Sequence, residues 1–226
     1  MAQTYKSLQS IKNFRKTLKK ASNHIYSIEN SLVASYRMIE YLEKYNIKVP
    51  KKMGMLRKND EREVFLYEIA FIGAYASFEH FMYDFLYDLF RKYPNALCNE
   101  KLFSYEEIRN FKRITNLKNF IADKLAVAKS YDIDEWIKVV EGFGINMFND
   151  EEDSKMLKFL NILRNDLLHA GGTTSSATLE KVKKTFNRSV DYSQMRKRHE
   201  IFDDCKKLFI SSIALFNKII KNIESS

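Results

Sequence analysis

Leu160-Asn161-Ile162-Leu163-Arg164-Asn165-Asp166-Leu167-Leu168-His169-Ala170-Gly171-Gly172 is an apolar-periodic stretch that carries Arg-Asn-x-x-x-His and then meets two glycines. Leucines at three- and four-residue steps mark a helix with one side in a core, and glycine is a usual stop signal at a helix C-terminus. Leu160, Leu163, Leu167 and Leu168 are expected to hold that core side. Asn165 and His169 then fall one turn apart on another edge, with Arg164 flanking them. Arg is a permanently charged fork suited to phosphate oxygens, and His gives and takes protons near neutral pH. Set together beside an amide, they suit metal-free chemistry on a phosphodiester, and RNA cleavage is the reading that follows. Spacing by itself is weak support: with 11 Arg and 4 His in 226 residues, chance gives about 0.2 such pairs. On spacing and context alone a second reading stays open, in which His169 merely ends the helix near its dipole and Arg164 joins a surface ion pair.

Outward from this stretch, composition favours helices. The chain has 45% hydrophobic and 30% charged residues, enough for a sizeable core, and only 6 Gly and 2 Pro to interrupt it. No convincing alternating strand is present, so an all-α fold is predicted. From Tyr5 to Tyr45, apolar residues at Leu8, Ile11, Leu18, Ile25, Ile28, Leu32, Tyr36, Ile39 and Leu42 predict an amphipathic helix with a narrow, coiled-coil-like seam, or two helices broken near Ser22-Asn23. Residues 46–59, with Pro50 and Gly54, read as a basic loop. A long helix is expected from Glu61 to Lys92, so rich in aromatics from Phe65 to Phe90 that burial on several sides is predicted, against the core or a second copy.

Ser104-Tyr105-Glu106-Glu107 has the form of a capping box and should start a short helix. Helices are expected over 117–130 and 134–140, the latter burying Trp136, before Gly142 and Gly144 break the chain. Asp150-Glu151-Glu152-Asp153 should open the helix that ends at His169, the acids complementing its dipole and not binding metal. A flexible loop is expected over 171–176, a helix or turn over 179–186, and a final helix from Tyr192 to Ile223.

The net charge of +9 is concentrated. Residues 1–20 hold six Lys/Arg and no acid, and residues 173–198 hold seven against two acids. The second group follows the Arg-Asn-x-x-x-His element, so Lys181, Lys183, Lys184 and Arg188 are candidate RNA contacts, although lysine runs are more often simply solvated. No run is long and uncharged enough to span a bilayer, and no membrane partner is expected. The N-terminus lacks the apolar block of a signal peptide. Cys98 and Cys205 form no CxxC pair, suggesting neither zinc nor a disulfide but free thiols in a reducing cytoplasm.

The Arg164-to-His169 segment resembles the Arg-x(4–6)-His signature of the HEPN superfamily, including the Arg-Asn start that many members show. Ala74-Tyr75-Ala76-Ser77-Phe78-Glu79-His80-Phe81 resembles the small-residue, Phe-Glu pattern of the first core helix in many HEPN domains. The likeness covers about residues 62–170 and, loosely, the C-terminal helix. It implies an all-α, HEPN-like helical bundle over residues 61–226, with residues 1–60 a basic amphipathic helical extension and loop. Many HEPN domains are metal-independent endoribonucleases acting as dimers in toxin–antitoxin, abortive-infection and other defence systems. Arg164, His169 and Asn165 would be catalytic, with Glu79 as a supporting acid able to pair with Arg164.

Metal-free RNA cleavage needs a base for the ribose 2′-OH, an acid for the departing 5′-oxygen and positive charge on the phosphorane. One chain supplies one His in this motif. The resemblance implies a homodimer with a composite site, two His169 and two Arg164 sharing a groove, and no cofactor or metal. The products would be a 2′,3′-cyclic phosphate and a 5′-hydroxyl. A cognate antitoxin or a defence-complex protein is a further expected partner. Two other readings stand beside this one. In the first, a non-catalytic HEPN module binds RNA or a partner such as an antitoxin or nucleotidyltransferase. In the second, a helical scaffold assembles through the residue 5–45 seam.

Overall fold

A computed structural model describes residues 5, 8–58, 60–93, 104–109, 111–130, 132–169, 176, 180 and 205–226. Every regular element among them is helical, as an all-α fold requires. The helices are α1 (Gln9–Lys44), α2 (Lys51–Gly54), α3 (Asp60–Lys92), α4 (Tyr105–Arg109), α5 (Ile114–Lys129), α6 (Ile133–Gly142), α7 (Glu151–His169) and α8 (Cys205–Ser225). No described helix is long and apolar enough to cross a membrane.

The chain divides into two compact units. One comprises Met1–Lys16, Tyr75–Asn161 and Ala214–Ser226; the other comprises Thr17–Ala74 and Ile162–Ile213.

The first unit is built on rings. Phe78 stacks on Phe216 with centroids 4.3 Å apart, and Phe14 stacks on Phe81 at 4.5 Å. Trp136 meets Phe78 edge-on at 6.0 Å, and all five rings are buried. Offset and edge-on pairs of this kind add about 0.5–1.5 kcal/mol each beyond their buried area. Two buried polar side chains are paired: the Ser10 hydroxyl donates to Asp88 at 2.8 Å, and the Asn222 amide donates to the Met147 carbonyl and accepts from Asn149, both at 3.0 Å.

Local signals set the helix ends in this unit. The Ser104 hydroxyl accepts from the Glu107 backbone N–H while the Glu107 carboxylate accepts from the Ser104 N–H, the reciprocal pair that the sequence predicts. Asp132 caps α6 by accepting from the Asp134 and Glu135 N–H groups. Of the two glycines after Trp136, only Gly144 is left-handed, at φ 74°, while Gly142 is the last residue of α6. The Ile145 N–H reaches back to the Val140 carbonyl and the Gly144 N–H to that of Glu141, closing a Schellman motif.

The second unit mixes apolar burial with charge. Leu18, Tyr36, Ile39, Tyr67, Phe71, Leu163, Leu167 and Phe209 are buried. Lys206 pairs with Glu29 and lies 5.8 Å over the ring of Tyr67. Burial, followed by the Glu29 carboxylate, holds the Tyr67 phenol well above its ordinary range.

Of the two readings of residues 5–45 the single helix is the one found: α1 is continuous through Ser22-Asn23, because neither residue is a Gly or Pro and a polar residue on a largely solvated helix costs only tenths of a kcal/mol, about 0.7 at most. Three other expectations need correction. The α1 seam is incomplete, since Ile28 is exposed, and it includes Phe14. Aromatic burial on α3 is one broad stripe and not an all-round sheath: Phe65 is exposed, and Tyr83 and Tyr87 are half-buried. The basic loop after α1 contains the helical turn α2. Of the 171–176 and 179–186 segments, only Ser176 and Glu180 are described, both helical and exposed; Tyr192 to Asp204 lies outside the described residues.

Candidate active site

Helix α7 begins where its acids predict. The Asp153 backbone N–H donates to the Asp150 carboxylate at 2.8 Å, making Asp150 the N-cap. Lys218 lies 3.0 Å from Asp150 and 2.5 Å from Asp153. The Asp153 N–H and Lys218 hold the Asp150 carboxyl below the usual range, and the two carboxylates hold the Lys218 ammonium above its own. These acids are structural. Among the described residues, no three His, Cys, Asp or Glu side chains lie close enough to hold a metal ion.

Leu157, Leu160, Leu163 and Leu167 are buried along α7, at the helical spacing read from the sequence. Leu168 departs from expectation: it is 49% exposed. Leu160, Leu163 and Leu167 already complete an i, i+3, i+7 stripe, and Leu168 is turned about 100° further round the helix.

Arg164 and Asn165 are both half-buried. The Arg164 guanidinium donates through Nη1 to the Asn165 side-chain oxygen at 2.7 Å. Successive helix residues do not ordinarily face one another, so this bond means that the long Arg side chain folds back across the helix surface onto its neighbour. Asn165 offers one amide oxygen and one amide nitrogen. In the structure its oxygen takes the guanidinium, which leaves its amide N–H groups as the donors it can offer elsewhere. The bond fixes the Arg164 guanidinium against Asn165. Position 169 is the last of α7, one helical turn beyond Asn165, and its side chain lies outside the described set.

Glu79 is half-buried on α3. Lys181, Lys183, Lys184 and Arg188 lie outside the described residues. His80 is exposed and sits 3.6 Å from Asp84, one turn along α3, a surface contact with no catalytic neighbour implied by the sequence. His24 is exposed on α1.

Compared with known proteins, the chain matches no family model, no curated protein and no solved structure.

Proposed function

We propose that this chain is a metal-independent endoribonuclease of the HEPN type, acting as a homodimer in the manner of a toxin or abortive-infection effector. The observation that supports this best is the pre-arranged Arg164 guanidinium, half-buried and tied to Asn165 at 2.7 Å, in the same terminal stretch of α7 that ends at His169. A fixed cation costs no reorganisation when charge develops on a phosphorane, which is where such a group is worth most.

In the proposed reaction one His169 takes the proton from the ribose 2′-OH as O2′ bonds to phosphorus. The P–O5′ bond breaks, and the second His169 of the dimer gives a proton to O5′. A 2′,3′-cyclic phosphate and a 5′-hydroxyl result. Arg164 binds the non-bridging oxygens, and Asn165 holds Arg164 in place.

The test is incubation of the pure protein with structured and unstructured RNAs in EDTA, beside His169→Ala. Cyclic-phosphate ends from the wild type alone are expected. Intact RNA in both, or equal cleavage by both, overturns the proposal.

A further inference from the structure

The end of α1 and the turn after it form a second basic surface, unlike the α7 site in composition. Between Arg37 and Lys58 stand seven Lys/Arg and two acids. One of the acids, Glu43, is neutralised by Arg57 at 2.7 Å, and the other, Glu40, is exposed on the flank. Arg37, Tyr41 and Tyr45 follow at four-residue steps and so share one face, with Lys44 beside them. All four are exposed, Tyr41 and Tyr45 by 56% each. The two phenol rings stand 4.7 Å apart, and the Lys44 ammonium lies 5.7 Å over Tyr45.

This end of the helix is fixed. Asn46 is left-handed at φ 54°, the Ile47 N–H bonds back to the Leu42 carbonyl at 2.8 Å, and the Asn46 N–H bonds to that of Glu43 at 3.1 Å. That is a Schellman motif with Asn in the glycine position, which Asn tolerates better than most residues. Beyond it, Lys48, Lys51 and Lys52 are exposed, and none makes an ion pair among the described residues.

We propose that this surface binds single-stranded nucleic acid, with Tyr41 and Tyr45 stacking on bases and Lys44, Lys48, Lys51 and Lys52 holding phosphates. Exposed rings interleaved with cations are the combination that single strands need: every base offers a π-face, and the backbone offers charge. A second copy of the chain is disfavoured as the occupant because two such faces repel and the one unneutralised acid is a poor counterweight. A bilayer is disfavoured as well. Ile47 and Met55 are exposed here, but lysines separate them, and they form no continuous apolar face of the kind that enters lipid.

The experiment is fluorescence anisotropy of fluorescein-labelled oligo(dT), which lacks the 2′-OH and so survives whether or not the protein cleaves RNA. Wild type is expected to bind with an affinity that falls as KCl rises. Tyr41→Ala/Tyr45→Ala should weaken binding by at least about fivefold, whereas Tyr41→Phe/Tyr45→Phe should retain it, since stacking needs the ring and not the hydroxyl. Lys48→Gln/Lys51→Gln should lower the slope of log affinity against log salt by about 0.7 per lysine. Far-UV circular dichroism of each variant establishes that the helices persist. Equal affinity in the alanine variant, loss confined to Arg164→Ala, or equal competition by duplex DNA overturns the proposal. Failure to bind oligo(dT) while binding phosphatidylserine vesicles overturns it in favour of a membrane surface.

Discussion

The two ends of α7 differ in charge and in the partners of that charge: five of the six residues from Asp150 to Lys155 are charged, against two, Arg164 and Asp166, from Arg164 to His169. At the N-terminal end, Asp150 and Asp153 are engaged by a backbone N–H and by Lys218, a residue 68 positions from Asp150. At the C-terminal end, Arg164 is held by its immediate neighbour, Asn165. Lys218 ties α8 to the start of α7, whereas the bond to Asn165 orients the Arg164 guanidinium along its own helix.

Activity should break the comparison first. His169→Ala and Arg164→Ala are each expected to lower RNA cleavage by about 100- to 10,000-fold while leaving the melting temperature close to wild type, as measured by initial rates and thermal unfolding. The helix between the two ends gives the next effect. Leu160→Ala removes a fully buried side chain and should cost about 2–5 kcal/mol in urea unfolding. Asn165→Ala should reduce kcat about tenfold with an unchanged melting temperature, because a charge-assisted hydrogen bond is worth about 1.5–3 kcal/mol only where both partners are held.

At the acidic end the order reverses: Asp150→Ala should lower the melting temperature by a few degrees and leave cleavage untouched. The smallest effect is pH dependence. The folded Asp150 carboxyl lies below its ordinary value of 3.8, so its contribution is present above that pH and is lost as pH falls through the lower folded value. Lys218 lies above its ordinary 10.5, so its contribution is present below that pH and is lost as pH climbs past the higher folded value. Melting curves of Asp150→Asn against wild type should converge at strongly acidic pH.

Much of the helix layout is legible because its signals are local. Ser104 with Glu107, and Asp150 with Asp153, need only three residues of spacing to be recognised. Residues that depend on tertiary partners are not legible in that way. Phe14 sits outside the expected seam, and its place comes from packing against the rings of Phe78, Phe81 and Phe216. Leu168 matches its leucine neighbours in type, yet burial depends on what packs against each position. At the site, the residue types of Arg164, Asn165 and His169 can be read directly. The bond between Arg164 and Asn165 cannot, since helical spacing argues against contact between neighbours. The basic run after α1 is equally visible as charge, but the pairing of Tyr41 with Tyr45 and the left-handed Asn46 emerge only in three dimensions.

The aromatic cluster around Phe78 has a practical consequence in spectroscopy. Trp136 is the chain's single tryptophan and is 2% exposed; its indole N–H has no hydrogen-bond partner among the described residues. An indole shielded from water and unpolarised by an acceptor emits at the blue end of its range. Its red shift on unfolding is therefore an optical report from one known place in the first unit, free of any label. Excited at the red edge of its absorption, where tyrosine does not absorb, this one indole is read apart from the chain's 13 tyrosines.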